Sequence, residues 1–220
     1  MTRVGSDTGG TFTDLVSATG EVVKVPSTPD DPSLAIRSAL GRFAGPVTAL
    51  THGTTVATNA VLERTGARVV LVTNAGLEDL IEIARQDRPS LYDARVERPA
   101  PIVERADRLG IAGRLGSRGE ELEPVGIDDL PSVPVGAEAV AVCLLHSDLE
   151  PAHEATVGAA LRAQGLDVTV SSELCPELRE YERLSPTVLN AYLRPVARSY
   201  LRALRGAAPE VRRAFESVYG

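Results

Sequence analysis

The first 25 residues restrict the fold of this chain more than any other stretch. Three short alternating segments are joined there by two tight glycine-containing turns. Arg3 to Ser6 leads into Asp7-Thr8-Gly9-Gly10, and Thr11 to Ser17 alternates apolar and polar residues. Ala18-Thr19-Gly20 turns the chain into Glu21–Val25. Strands linked this closely predict an antiparallel meander. Asp31-Pro32 then supplies an N-cap and a first-turn proline. Ile36, Leu40 and Phe43 follow helical spacing, and Ala44-Gly45-Pro46 stops the helix. Val47–Thr51 reads as a strand, Ala57–Thr65 as a helix closed by Gly66, Arg68–Thr73 as a buried strand and Gly76–Ala84 as a helix. Three antiparallel strands followed by helix-linked strands predict an α/β fold, a mixed sheet flanked by helices.

A length of 220 residues suits one large domain or two small ones. Residues 1–85 read as a core lobe. Residues 85–135 are rich in Arg, Asp, Glu, Pro and Gly, with broken periodicity, and read as an irregular insertion with short strands near 102–109 and 111–115. Residues 136–205 read as strand (139–145), helix (151–164), strand (168–171) and a long helix. The strand-helix-strand unit predicts a parallel pair with a right-handed crossover. The long helix is expected to open at Ser185-Pro186, run to about Leu204 and kink at Pro195. Residues 206–220 are expected to form a tail, with a last short helix over Pro209–Tyr219.

Charge and composition remove several function classes. A net charge of -7 opposes binding to nucleic acid or to an anionic membrane. No run approaches the ~18–20 apolar residues of a membrane span, and the first residues lack a secretory pattern. Cys143 and Cys175 lack metal-ligand spacing, so a reducing cytoplasm is the expected compartment.

Four stretches carry polar chemistry. Asp7–Asp14 is a glycine-rich turn between strands, without the Walker pattern or the dinucleotide fingerprint. Gly9 and Gly10 let backbone amides approach an anion, Thr11 and Thr13 add hydroxyls, and Asp7 could hold a divalent cation through water. A plain hairpin with a capping Asp fits the same residues. Thr51–Ala60 hands a strand over to a helix. Gly53, Thr54 and Thr55 fit a second polar-ligand site or ordinary N-capping, and His52 fits a base, a substrate donor or a satisfied histidine. Arg85 and Arg88 suit a substrate carboxylate or a salt-bridge cluster. Glu180–Ser185 leads into Asn190-Ala191-Tyr192, with Ser185 mainly a helix cap. His146 and His153 have no companion at metal-ligand spacing.

Taken in order, DTGGTFTDLV, HGTTVATNAVLERTGARVVLVT, IARQDRPSLYD, AVAVCLLHS and EYERLSPTVLNAYLRPV resemble the N-terminal region of the hydantoinase A / 5-oxoprolinase family over about residues 3–205. That family includes N-methylhydantoinases and acetone carboxylase subunits. The resemblance implies a ribonuclease-H-like lobe of the actin and sugar-kinase ATPase type. It also implies ATP-dependent hydrolysis of a cyclic amide with Mg2+, the amide oxygen being phosphorylated. By motif match, Gly9, Gly10, Thr11 and Thr13 would contact phosphate, Asp7 would sit near Mg2+, and His52, Thr54 and Thr55 would line the same cleft, with Asp7 and His52 as catalytic candidates. Family members are longer than this chain, whose last residues do not resemble their continuation. The expectation is therefore a lobe that works with a second-lobe chain or a hydantoinase B-like subunit in an oligomer. A degenerate, non-catalytic binding domain and an excised N-terminal domain are the alternatives.

Overall fold

A computed structural model describes residues 2–28, 31–43, 47–87, 89–93, 95–128 and 130–207. The chain divides into two compact units, Met1–Gly66 with Val196–Gly220, and Ala67–Pro195.

The first unit is built on the meander: β1 (Thr2–Thr8), β2 (Phe12–Ser17) and β3 (Val22–Pro26), followed by α1 (Pro32–Leu40), β4 (Val47–Thr54) and α2 (Val56–Leu62). The sheet order is β3-β2-β1-β4, with the meander antiparallel and β4 parallel to β1. Alternation turns Val4, Leu15, Val23 and Val25 inward, where they pack with Ile36, Ala39, Tyr200 and Leu204. Phe12, Val16 and Val22 stay exposed on the opposite face. The Asp31 carboxylate accepts the Ser33 amide at 3.0 Å and caps α1. That helix ends at Leu40 rather than Phe43; the Ala44-Gly45-Pro46 stop lies outside the described residues. Strand β4 runs three residues past the expected end, because the parallel ladder continues through Ser6↔His52, Asp7↔Gly53 and Thr8↔Thr54.

The second unit holds β5 (Val69–Asn74), α3 (Leu80–Ile83), β6 (Arg108–Ile111), β7 (Arg114–Leu115), β8 (Glu121–Glu123), β9 (Ala139–Val142), α4 (Ala152–Ala163), β10 (Val168–Val170) and α5 (Ser171–Leu174). The long helix α6 (Glu180–Ala207) begins here, and its residues from Val196 onward belong to the first unit. A four-stranded sheet has the order β10-β9-β5-β6 and is parallel throughout. Successive residues of β5 and β9 point to opposite faces, and both faces are covered. Val69, Leu71, Ala139 and Ala141 pack with Leu184, Val188, Ala191 and Tyr192 of α6. Val70, Val72, Val140 and Val142 pack with Val157 and Leu161 of α4.

This arrangement corrects the expected partition. Strand β5, expected in the core lobe of residues 1–85, lies inside the second sheet, between β9 and β6. Every residue of β5 is buried, which requires cover on both faces. The stretch from 85 to 135 is less irregular than its composition implies, since β6 joins that same sheet as an edge. The predicted helix at 76–84 shrinks to the four residues of α3. The β9–α4–β10 unit is parallel as expected. Helix α6 starts at Glu180 and contains Pro186 and Pro195, so Ser185 caps nothing. Leu184, Val188, Ala191 and Tyr192 keep helical spacing across Pro186, and their burial offsets the cost of the lost amide. Among the described residues, no helix is long and apolar enough to cross a membrane.

Candidate functional site

The site expected at Asp7–Asp14 lies wholly in the first unit. Cross-strand register lines up Lys24, Asp14, Asp7 and Gly53 in one row across β3, β2, β1 and β4. Two carboxylates thus stand side by side on adjacent strands, an unfavourable pairing unless a cation is near. Lys24 lies 3.1 Å from Asp14. Asp7 is exposed, and among the described residues no side chain bonds its carboxylate. Gly53 leaves the space beside it open; a Cβ there would stand 3.6 Å from Asp7 Oδ1.

The turn above this row is held from inside. The Gly9 amide donates to the Phe12 carbonyl at 3.0 Å, and the Ser27 hydroxyl donates to the Gly9 carbonyl at 2.8 Å. Ser27 also donates its amide to Thr11 O at 2.9 Å. The Gly10 and Thr11 amides, by contrast, have no acceptor among the described residues. Neither Gly9 nor Gly10 has a left-handed backbone, so a side chain there meets no backbone strain. A Cβ at Gly10 would meet Asn59 Nδ2 at 3.8 Å, an ordinary contact. Asn59 therefore faces the turn from α2. It sits one helical turn after Thr55, whose carbonyl accepts its amide at 2.8 Å.

Four expected site residues make bonds within the first unit. Thr13 is fully buried, and its hydroxyl bonds Ser27 Oγ at 3.0 Å and Thr8 Oγ1 at 3.4 Å; it props the turn from below and does not line it. Both ring nitrogens of His52 are hydrogen-bonded. Its Nδ1 hydrogen-bonds Ser6 Oγ at 2.7 Å, and its Nε2 hydrogen-bonds the Tyr200 hydroxyl. Burial holds the imidazole below the usual histidine range, against the pull of the Asp7 carboxylate. Burial also raises the Tyr200 phenol, while hydrogen bonds with Thr54 and Thr8 oppose that shift. The Thr54 hydroxyl oxygen accepts the Val56 amide at 3.2 Å. Thr55, exposed, reaches the Thr8 carbonyl through amide and hydroxyl, each at 3.4 Å. His52, Gly53 and Thr54 belong to β4 and not to the amide end of a helix.

Arg85 lies in the second unit. Its guanidinium donates to both Glu182 oxygens, at 2.8 and 2.5 Å, and stands over the Tyr181 ring at 5.6 Å. That fork is taken up by the Glu182 carboxylate, the salt-bridge alternative of the two that the sequence offers. Arg88 lies outside the described residues.

The stretch around Glu180 holds a buried network that a sequence reading misses. Arg183 is fully buried. It donates to Ser171 Oγ at 2.9 Å, Asp148 Oδ1 at 3.0 Å, Glu177 O at 3.1 Å and Leu144 O at 2.6 Å. Glu154, also fully buried, accepts from the Leu144 amide, the Ser171 hydroxyl and the Ser172 amide at 2.6–2.8 Å. The shared Ser171 hydroxyl links Arg183 to Glu154, and these bonds fix the ends of β9 and β10.

Residues 3–165 match the family profile described as the hydantoinase/oxoprolinase N-terminal region. The chain belongs to the hydantoinase/oxoprolinase family. Among its relatives, the caprolactamase subunit alpha of Pseudomonas jessenii is 39% identical over 225 residues, covering 90% of this chain and 32% of the relative. The 5-oxoprolinase 1 of Arabidopsis thaliana is 34% identical over 240 residues, covering 89% of this chain and 19% of the relative. The crystal structure of ATP-dependent caprolactamase from Pseudomonas jessenii superposes with a TM-score of 0.80 at 34% identity, over 95% of this chain and 34% of that one. The chain thus spans about a third or less of the length of these hydantoinase/oxoprolinase relatives. The likeness agrees with the α/β fold and mixed sheet described above.

Proposed function

We propose that this chain is the phosphate-binding lobe of an ATP-dependent cyclic-amide hydrolase. The reading is carried by the Gly10 and Thr11 amides, which have no acceptor among the described residues, in the turn that follows Asp7, whose carboxylate no described side chain bonds. Amides with no internal acceptor suit anionic oxygens, and a hard carboxylate oxygen beside a second carboxylate suits a divalent cation. ATP with Mg2+ presents both partners together. Asp7 would hold Mg2+, directly or through water, while Gly10, Thr11 and Asn59 would face phosphate. When bound, Mg2+ neutralises the charge of the phosphate groups. Behind this surface, Thr13 and Ser27 support the turn, and the Ser6–His52–Tyr200 chain braces the ends of β1 and β4. The relatives named for caprolactam and 5-oxoproline point to a lactam substrate, whose binding groups would come from the remaining lobe or from a hydantoinase B-like partner.

Asp7→Asn tests the reading, since it removes charge and keeps shape. Calorimetry with ATP, with and without Mg2+, should show that the variant loses most of the Mg2+-dependent gain. Metal-free binding should change little. Equal Mg2+ dependence in both proteins would overturn the assignment and leave the turn a structural hairpin.

A further inference from the structure

Beyond the phosphate site, the second unit brings together three metal-ligating side chains that spacing alone does not connect. His146 follows β9, Asp148 lies two residues on, and Glu180 opens α6. One ligand atom from each lies within 4.8 Å of the others. His146 Nδ1 is 3.7 Å from Glu180 Oε1. Two ligands held about 2.0–2.2 Å from a tetrahedral ion stand about 3.4 Å apart, so that pair needs almost no adjustment. We propose that His146, Asp148 and Glu180 form a site for a divalent transition-metal ion of the Zn2+ class.

The surroundings fit such an ion. His146 and Glu180 are 28% and 25% exposed at the side chain, which leaves an open side for water or a ligand. Asp148 is 7% exposed, and Arg183 takes its Oδ1 at 3.0 Å, orienting the carboxylate while leaving its other oxygen. Glu180 is steadied by the His146 amide at 3.5 Å. Among the described residues, no group other than Glu180 bonds the imidazole. His146 has φ 58, a left-handed backbone.

Topology adds an independent reason. From β5 the chain first adds β6 on one side, then returns to place β9 on the other. The strand order therefore reverses between β5 and β9, and the crevice beyond the carboxyl ends of such strands is where open parallel sheets bind ligands. Asn74, the last residue of β5, stands beside that crevice and joins the segments that follow β6 and β9. Its Nδ2 donates to Gly113 O at 2.6 Å, and its Oδ1 accepts the Leu145 amide at 2.7 Å. His146 is the next residue. One imidazole with two carboxylates favours Zn2+, Co2+ or Mn2+ over Mg2+, which binds imidazole poorly.

The test titrates the metal-free chain with Co2+ and with Zn2+. A single equivalent of Co2+ should give visible d–d bands that Zn2+ abolishes and millimolar Mg2+ leaves intact. Glu180→Gln, Asp148→Asn and His146→Asn should each weaken Zn2+ at least about tenfold, since even an outer-shell partner of a ligand contributes that much. Asn tolerates the left-handed backbone, so His146→Asn keeps the turn. Circular dichroism confirms that each variant is folded. Glu121→Gln, which removes the partner of His153 at 2.8 Å, is the control and should bind as wild type. Absence of stoichiometric Co2+ or Zn2+ binding in wild type overturns the proposal. So does binding that survives in all three folded variants, or that falls equally in the Glu121 control.

Discussion

Gly10→Ala separates a glycine kept for the fold from one kept for a ligand. The backbone at Gly10 is outside the left-handed region, and the added Cβ would meet only Asn59 Nδ2, at 3.8 Å. Folding therefore loses nothing to strain. The unfolded chain loses freedom, so stability should stay level or rise by about 0.4–1 kcal/mol. For a chain of this length that is at most about 4 °C in Tm. Binding should respond in the opposite sense. An oxygen shared by the Gly10 amide and Asn59 must sit about 2.9 Å from each donor. A methyl in ordinary contact with Asn59 takes that volume. The expected loss is at least about tenfold in affinity for Mg2+-ATP, or about 1.4 kcal/mol. Thermal melts without ligand and calorimetry with Mg2+-ATP measure the two effects separately. A variant more than about 2 kcal/mol less stable than wild type would show that the turn needs its glycine for folding, against the geometry. A variant of normal stability that binds Mg2+-ATP as wild type does would remove the ligand argument.

Arg183→Met should destabilise the second unit by about 3–5 kcal/mol, because Glu154 and Asp148 are left as buried charges; urea unfolding measures this, and a cost under about 1 kcal/mol would mean that the network is not held as described. The lowered His52 pKa gives a pH dependence. The unfolded imidazole takes a proton more readily than the folded one, so this contribution is present above about pH 6.5 and is lost as the pH falls toward the folded value. Melts from neutral to mildly acidic pH should show the loss, and His52→Gln should remove that part of the slope. Burial pushes the Cys143 thiol up to about 12, whereas Cys175 is only half-buried; a thiol reagent at neutral pH should label Cys175 alone in the folded chain and both cysteines in guanidinium.

What the sequence makes legible is local. Alternation in Thr11–Ser17 and the glycine turns specify the meander, and Asp31-Pro32 marks the start of α1 to the residue. The apolar run of Ala139–Leu145 and the helix that follows announce the β9–α4–β10 unit. Asp7, Gly10 and Thr11 are likewise readable, because a glycine turn with a flanking carboxylate is a contiguous feature. The rest depends on residues far apart in the chain. Tyr200 reaches His52 across 148 positions, and no spacing rule connects them. Arg183 sits in the charged run Glu180–Arg183, which looks like a solvated helix face, yet it is fully buried, with Asp148 and the Glu154–Ser171 cluster around it. Strand β5 reads as buried, but which sheet it enters is decided by helices on both of its sides. Asn59 was within reach of the sequence, since i, i+4 spacing from Thr55 places it on the turn side of α2.

The division of the first unit into two separated segments has a consequence for synthesis. Its sheet is complete once Thr54 has emerged, but Tyr200 and Leu204, which belong to its core, come only after all of Ala67–Pro195. At roughly 5–20 residues per second the delay is on the order of ten seconds, far longer than hydrophobic collapse. During that interval the nascent meander has an incomplete core, and β3 and β4 lie at its open edges. The second unit is one uninterrupted segment and can consolidate first. Ribosome-associated chaperones would therefore meet the amino-terminal sheet as their client, and slower translation downstream of Gly66 would lengthen its exposure.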